Sequence, residues 1–70
     1  MRDIEADVAL IYSAIKKGVS SYTQYHKDYD TFSVYLDDHN GNTLDIAGYD
    51  MVEIIEDIAK QLERWGYINE

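Results

Sequence analysis

The chain of 70 residues has no cysteine and no proline. Without cysteine no disulfide can staple a domain of this size. The N-terminus also lacks a basic head followed by a long apolar run, and together these absences predict a reducing, cytoplasmic setting. The longest uninterrupted apolar stretch, Val8 to Tyr12, falls far short of the roughly 20 residues that a bilayer-spanning helix requires, so a soluble protein is expected. A third absence is the most informative. Between Lys27 and Lys60 there is no lysine or arginine, whereas Asp28, Asp30, Asp37, Asp38, Asp45, Asp50, Glu53, Glu56 and Asp57 give those 32 residues a formal charge of -9. Residues 1 to 27 sum to +1 and residues 60 to 70 to zero, so the middle of the chain accounts for the net charge of -8. A field of that sign repels nucleic acid and anionic membranes and attracts basic surfaces over about a Debye length, ~8 Å at physiological salt.

What is present excludes disorder. Hydrophobic residues make up 46% of the sequence and nine are aromatic, more apolar matter than a charge-driven disordered chain contains. A chain this short buries only about 60% of its unfolded surface, which leaves room for one core and predicts a single domain over residues 1 to 70. Ile4, Val8, Ile11 and Ile15 follow at steps of 4, 3 and 4, the spacing of one helical stripe, with Asp3 as N-cap, Lys16 and Lys17 at the negative end of the dipole and Gly18 as the stop. Leu10 lies off that stripe and reads as the shoulder of a broader core face. A second helix begins at Asp50-Met51-Val52-Glu53, which has capping-box spacing, with Asp50 expected to accept from the Glu53 amide. Its stripe is Met51, Ile55, Ile58, Leu62 and Trp65, and Gly66 ends it.

Between the helices the period changes from 3.6 to 2. Residues 19 to 27 are rich in β-branched and aromatic types and predict a first strand, whose register the sequence does not give. Phe32, Val34 and Leu36 alternate with polar partners, as do Leu44 and Ile46. A two-residue Asn40-Gly41 loop would set Leu36 opposite Asp45 and place a carboxylate on the apolar face. A three-residue loop, His39-Asn40-Gly41, instead pairs Leu36 with Leu44 and Val34 with Ile46 and gives Gly41 the left-handed position. The latter is expected, with Tyr35 opposite Asp45 on the other face. The order helix, strand, strand, strand, helix predicts a two-layer α+β domain in which both helices cover one face of a three-stranded antiparallel sheet.

This order, with its Phe-x-Val-x-Leu second strand, resembles the double-stranded-RNA-binding domain over nearly the whole chain. That family carries lysines at the start of its second helix, where they grip phosphate. The matching stretch here, Gly48-Tyr49-Asp50-Met51-Val52-Glu53, places two acids there, so the resemblance implies architecture without RNA binding. In size, charge and element order the chain is also similar to small phage-encoded anti-CRISPR inhibitors. Some of these set acidic side chains in the groove where a CRISPR nuclease would read its target. That resemblance implies an inhibitor acting as a nucleic-acid mimic on a basic protein, in the cytoplasm of the host cell.

The residues expected to meet such a partner are Asp30, Tyr35, Asp37, Asp38, Asp45, Tyr49, Glu53, Glu56 and Asp57, carboxylates standing in for phosphates with tyrosines as anchors. An antitoxin or immunity protein for a basic nuclease would use the same physics. A regulatory module that self-associates or docks on a host protein through Leu10 and exposed aromatics is the other class of reading, and a monomer or weak homodimer is expected. No metal site is predicted: with Gly41 as the sixth position of a calcium loop, Leu36 would be the first ligand and no glutamate stands at the twelfth. No cofactor and no catalysis are expected. Phosphate-loop and nucleophile-elbow patterns are missing, and His26 and His39 have no spacing that fixes a nucleophile or an orienting carboxylate.

Overall fold

A computed structural model describes residues 3–68. Its elements run α1 (Ile4–Lys16), β1 (Ser20–His26), β2 (Thr31–Asp37), β3 (Thr43–Gly48) and α2 (Met51–Arg64), with the antiparallel strands in the order β1-β2-β3. This is the α+β arrangement that the change of period predicts. The domain is 17 Å across its shortest dimension, the depth of one sheet and one layer of helix.

Local chemistry sets the helix ends. Asp3 caps α1 by accepting from the Glu5 amide at 3.0 Å, and Asp50 caps α2 by accepting from the Val52 amide at 2.9 Å. The second bond corrects the capping-box expectation, since the carboxylate serves the second amide of the helix instead of that of Glu53. Both helices close in the same way. The amide of Val19 bonds the carbonyl of Ala14 and that of Gly18 bonds Ile15, and at α2 the amide of Tyr67 bonds Leu62 and that of Gly66 bonds Glu63. Each motif needs a left-handed residue just past the helix, which glycine supplies at φ 110° in Gly18 and 95° in Gly66.

The β2–β3 register is the one that burial demands. Leu36 faces Leu44, Val34 faces Ile46 and Tyr35 faces Asp45, and the Asp38 amide bonds the Asn42 carbonyl at 3.1 Å across a three-residue loop. The register of β1, which the sequence leaves open, sets Ser21 against Leu36, Thr23 against Val34 and Tyr25 against Phe32 on the inner face, where the Tyr25 and Phe32 rings lie 5.0 Å apart. The core gathers Val34 and Leu36 from β2, Leu10, Ala14 and Val19 from α1 and its exit, and Ile54, Ile58, Ala59 and Leu62 from α2.

Helix α1 departs from expectation. Its buried residues are Asp7, Leu10 and Ala14, whereas Ile4 and Ile15 remain 40% and 39% exposed. At 3.6 residues per turn the buried set is centred about 100° around the helix from the Ile4, Val8, Ile11 and Ile15 stripe. The floor beneath that stripe explains the turn. The inner face of β1 offers Ser21 and Thr23, which reward apolar contact little, while α2 offers isoleucine, leucine and the fully buried Ala59. Both helices therefore lie on the same side of the sheet, with α1 leaning on α2 and leaving an open groove of about 210 Å³ over β1. Burial of Leu10 at 3% exposure also removes it as a docking residue. The α2 stripe is closer to its reading, with Ile54 added to the buried centre and Met51, Ile55 and Trp65 half-buried at its margins.

Candidate functional site

The face of the sheet that no helix covers presents side chains in rows fixed by register. Tyr22, Tyr35 and Asp45 form one row across all three strands, Ser20, Asp37 and Thr43 form the next, and Gln24, Ser33 and Ala47 form a third. No lysine or arginine stands in these rows. Tyr22 and Tyr35 are 64% and 43% exposed and Asp45 is exposed, so two rings and a carboxylate stand side by side in water. Tyrosine combines a large apolar body with a polar tip, which suits it to contact surfaces.

Of the nine residues expected to bind a partner, Tyr35, Asp37 and Asp45 are brought together on this face. The other six are distributed elsewhere. Asp30 sits at the β1–β2 turn with a left-handed φ of 52° and accepts from the Tyr25 hydroxyl at 2.7 Å. That bond, followed by partial desolvation and the nearby negative charge, holds the Tyr25 phenol above the ordinary tyrosine pKa. Tyr49 is 77% exposed in the connection to α2. Glu53, Glu56 and Asp57 belong to α2, the layer on the other side of the sheet, and Glu56 is paired with Lys60 at 3.2 Å. A single flat ligand cannot touch the α2 carboxylates and the sheet rows together.

Asp38 has a different occupation. Its carboxylate accepts from the Asn40 amide at 2.8 Å, the Asn42 amide at 3.1 Å and the Asn42 side-chain amide at 2.7 Å, and the residue is 8% exposed. The Asn42 side chain is the largest influence lowering its pKa below the ordinary aspartate value, and the two backbone amides add to it against the opposing effect of burial. Asp38 therefore organises the turn and does not present its charge to a partner.

Two residues that sequence reasoning did not assign complete the surface. Tyr22 faces Tyr35 only because of the β1 register. His39, at φ 63° in the hairpin loop, brings Nε2 to 2.7 Å from Ser20 Oγ, while its Nδ1 lies 3.8 Å from Asp37 Oδ2 and its amide donates to Asp37 Oδ1 at 2.8 Å. The order serine, histidine, aspartate is that of a hydrolytic triad, but 3.8 Å exceeds a hydrogen bond and the imidazole is 59% exposed to water. Its evident effect is to tie the loop to the start of β1. A second pair, His26 Nε2 with Ser33 Oγ at 2.9 Å, joins the other end of the same strands.

Among the described residues no group of three or more histidine, cysteine, aspartate or glutamate side chains is placed to hold a metal ion, and no helix is long and apolar enough to cross a membrane. No protein-family model, no curated protein and no solved structure matches this chain.

Proposed function

We propose that this chain is a small acidic binding protein that inhibits a basic nucleic-acid-processing protein by occupying its nucleic-acid groove. The observation that carries the reading is the helix-free sheet face, on which Tyr22, Tyr35 and Asp45 stand in one row beside Asp37 with no basic side chain among them. Carboxylates held on a rigid sheet substitute for phosphates without the entropy cost of ordering a flexible segment, and the tyrosines add desolvated contact. The most specific form of this proposal is a phage-encoded anti-CRISPR acting in the host cytoplasm. An immunity protein for a basic nuclease would work by the same face. The chain acts by binding, with no cofactor and no catalysis.

The test is capture against a panel of basic nucleases and CRISPR effectors, followed by charge reversal. Asp37→Lys with Asp45→Lys on the sheet should abolish capture, whereas Glu53→Lys with Asp57→Lys on α2 should leave most of it. Affinity should fall steeply as salt rises, because opposed charges are screened. Absence of any captured partner, or capture indifferent to salt and to the sheet pair, would end this reading.

A further inference from the structure

We propose that the chain forms a two-fold homodimer by antiparallel pairing of β1 with β1 of a second copy. The proposal does not rest on the inhibitory function. Its starting point is an unguarded sheet edge. Among the described residues β1 is hydrogen-bonded to β2 alone, so along its seven residues, Ser20–His26, one side of the strand lacks a ladder partner there. Sheet edges are ordinarily blunted by lysine, proline, a bulge or an inward-pointing charge. β1 has none of these, since its sequence Ser-Ser-Tyr-Thr-Gln-Tyr-His is free of lysine, carboxylate and proline and pairs with β2 without interruption. The opposite edge differs. β3 carries Asp45 and lies against α2, whose first turn is acidic, so pairing two copies there would bring like charges together.

The surface flanking β1 is apolar on the helix side. Val8, Ile11, Tyr12 and Ile15 of α1 overhang Ser21 and Thr23 in the open groove, with Tyr12 64% exposed. Joining the sheets through β1 turns the two grooves toward each other across the axis and removes both apolar stripes from water.

Charge selects a second copy as the occupant. A chain of net charge -8 associates with itself most readily through its least negative part, and residues 3–26, which hold α1 and β1, sum to -1 against -9 for residues 28–59. Antiparallel pairing also sets the β1–β2 turn of one copy, with Asp28 and Asp30, beside the α1 C-terminus of the other, where Lys16 closes the helix. The two-fold axis repeats this match at the other end of the paired strands.

Sedimentation equilibrium at about 100 µM chain should give twice the 8.1 kDa chain mass. Lys16→Glu should raise the dimer dissociation constant roughly tenfold, counting two symmetric exposed ion pairs, and adding Asp28→Lys should restore it to within about twofold. With full overlap Thr23 meets its own counterpart with Cα atoms ~4.5–5.5 Å apart, inside the range for a disulfide. Thr23→Cys, in a chain with no other cysteine, should therefore oxidise to a covalent dimer much faster than Tyr29→Cys on the exposed turn. A species of 8.1 kDa at that concentration, or a dimer in which Thr23→Cys crosslinks no faster than Tyr29→Cys, overturns the proposal.

Discussion

The orientation of α1 can be tested by truncating one residue from each of its two apolar sectors. Leu10 is 3% exposed within the buried cluster that α1 shares with α2, so Leu10→Ala removes three buried carbons and leaves a cavity that the surrounding side chains fill only in part. For a leucine in this setting the cost is about 3 kcal/mol. Ile15 is 39% exposed and stands at the rim of an open groove, so Ile15→Ala creates no enclosed void. It loses about 1 kcal/mol or less of transfer energy, partly offset by the better helix propensity of alanine. In a domain of this length each 1 kcal/mol moves the midpoint of melting by ~4–8 °C, so Leu10→Ala should lower it by ~12–24 °C and Ile15→Ala by less than ~8 °C. Circular dichroism melts at low micromolar chain, where the monomer fold is read, give both numbers. Equal losses in the two variants, or a larger loss at Ile15, would mean that the Ile4, Val8, Ile11 and Ile15 stripe is the true core face, and the account of α1 would fail.

Other expectations follow from single contacts. A Cβ added at Gly48 would meet Ile54 carbons at 3.6 and 3.7 Å, ordinary contact distances. Gly48→Ala should therefore stabilise by about 0.5 kcal/mol through the unfolded chain, whereas Gly41→Ala, at φ 94°, should cost about 1 kcal/mol, both read by urea unfolding. Asp38 has a folded pKa below its unfolded one, so its stabilisation is complete above the ordinary aspartate range and is lost as pH falls through the folded pKa. Acid melts of the native chain should fall more steeply below pH about 4 than those of Asp38→Asn, which starts less stable at neutral pH. In an ultraviolet titration Tyr25 should ionise above the ordinary tyrosine value, and Asp30→Asn should lower its pKa. Ester hydrolysis by the chain should be no faster than that by equimolar imidazole and unchanged in Ser20→Ala. A drop in that variant would refute the noncatalytic reading of Ser20, His39 and Asp37.

Much of the fold is legible from residue order because local and global preferences agree. The β2–β3 register follows from the need to keep Asp45 off the apolar face, and Asp3, Gly18, Asp50 and Gly66 mark helix ends by their own chemistry. The rotation of α1 is not legible, because periodicity identifies apolar sectors without saying what stands opposite each one. Ser21 and Thr23 make the Ile4 to Ile15 stripe a poor seat, and that depends on a β1 register no local signal encodes. The same gap hides Tyr22 beside Tyr35 and Ser20 beside His39, both pairings across separate elements. Charge was legible as a total and not as a surface. A two-layer sandwich divides consecutive acidic segments between opposite sides, so Asp37 and Asp45 face one way while Glu53 and Asp57 belong to the other layer.

Within a single copy, β2 alone among the described strands is hydrogen-bonded along both flanks, and it also supplies Val34 and Leu36 to the centre of the apolar cluster. Releasing it requires two ladders to break and both helices to lift, while β1 can peel from one side. At low micromolar chain, where single copies prevail, its backbone amides should thus be the last to exchange with deuterated solvent, which makes the middle strand the kinetic keel of the molecule and leaves the outer strands free to breathe without capsizing it.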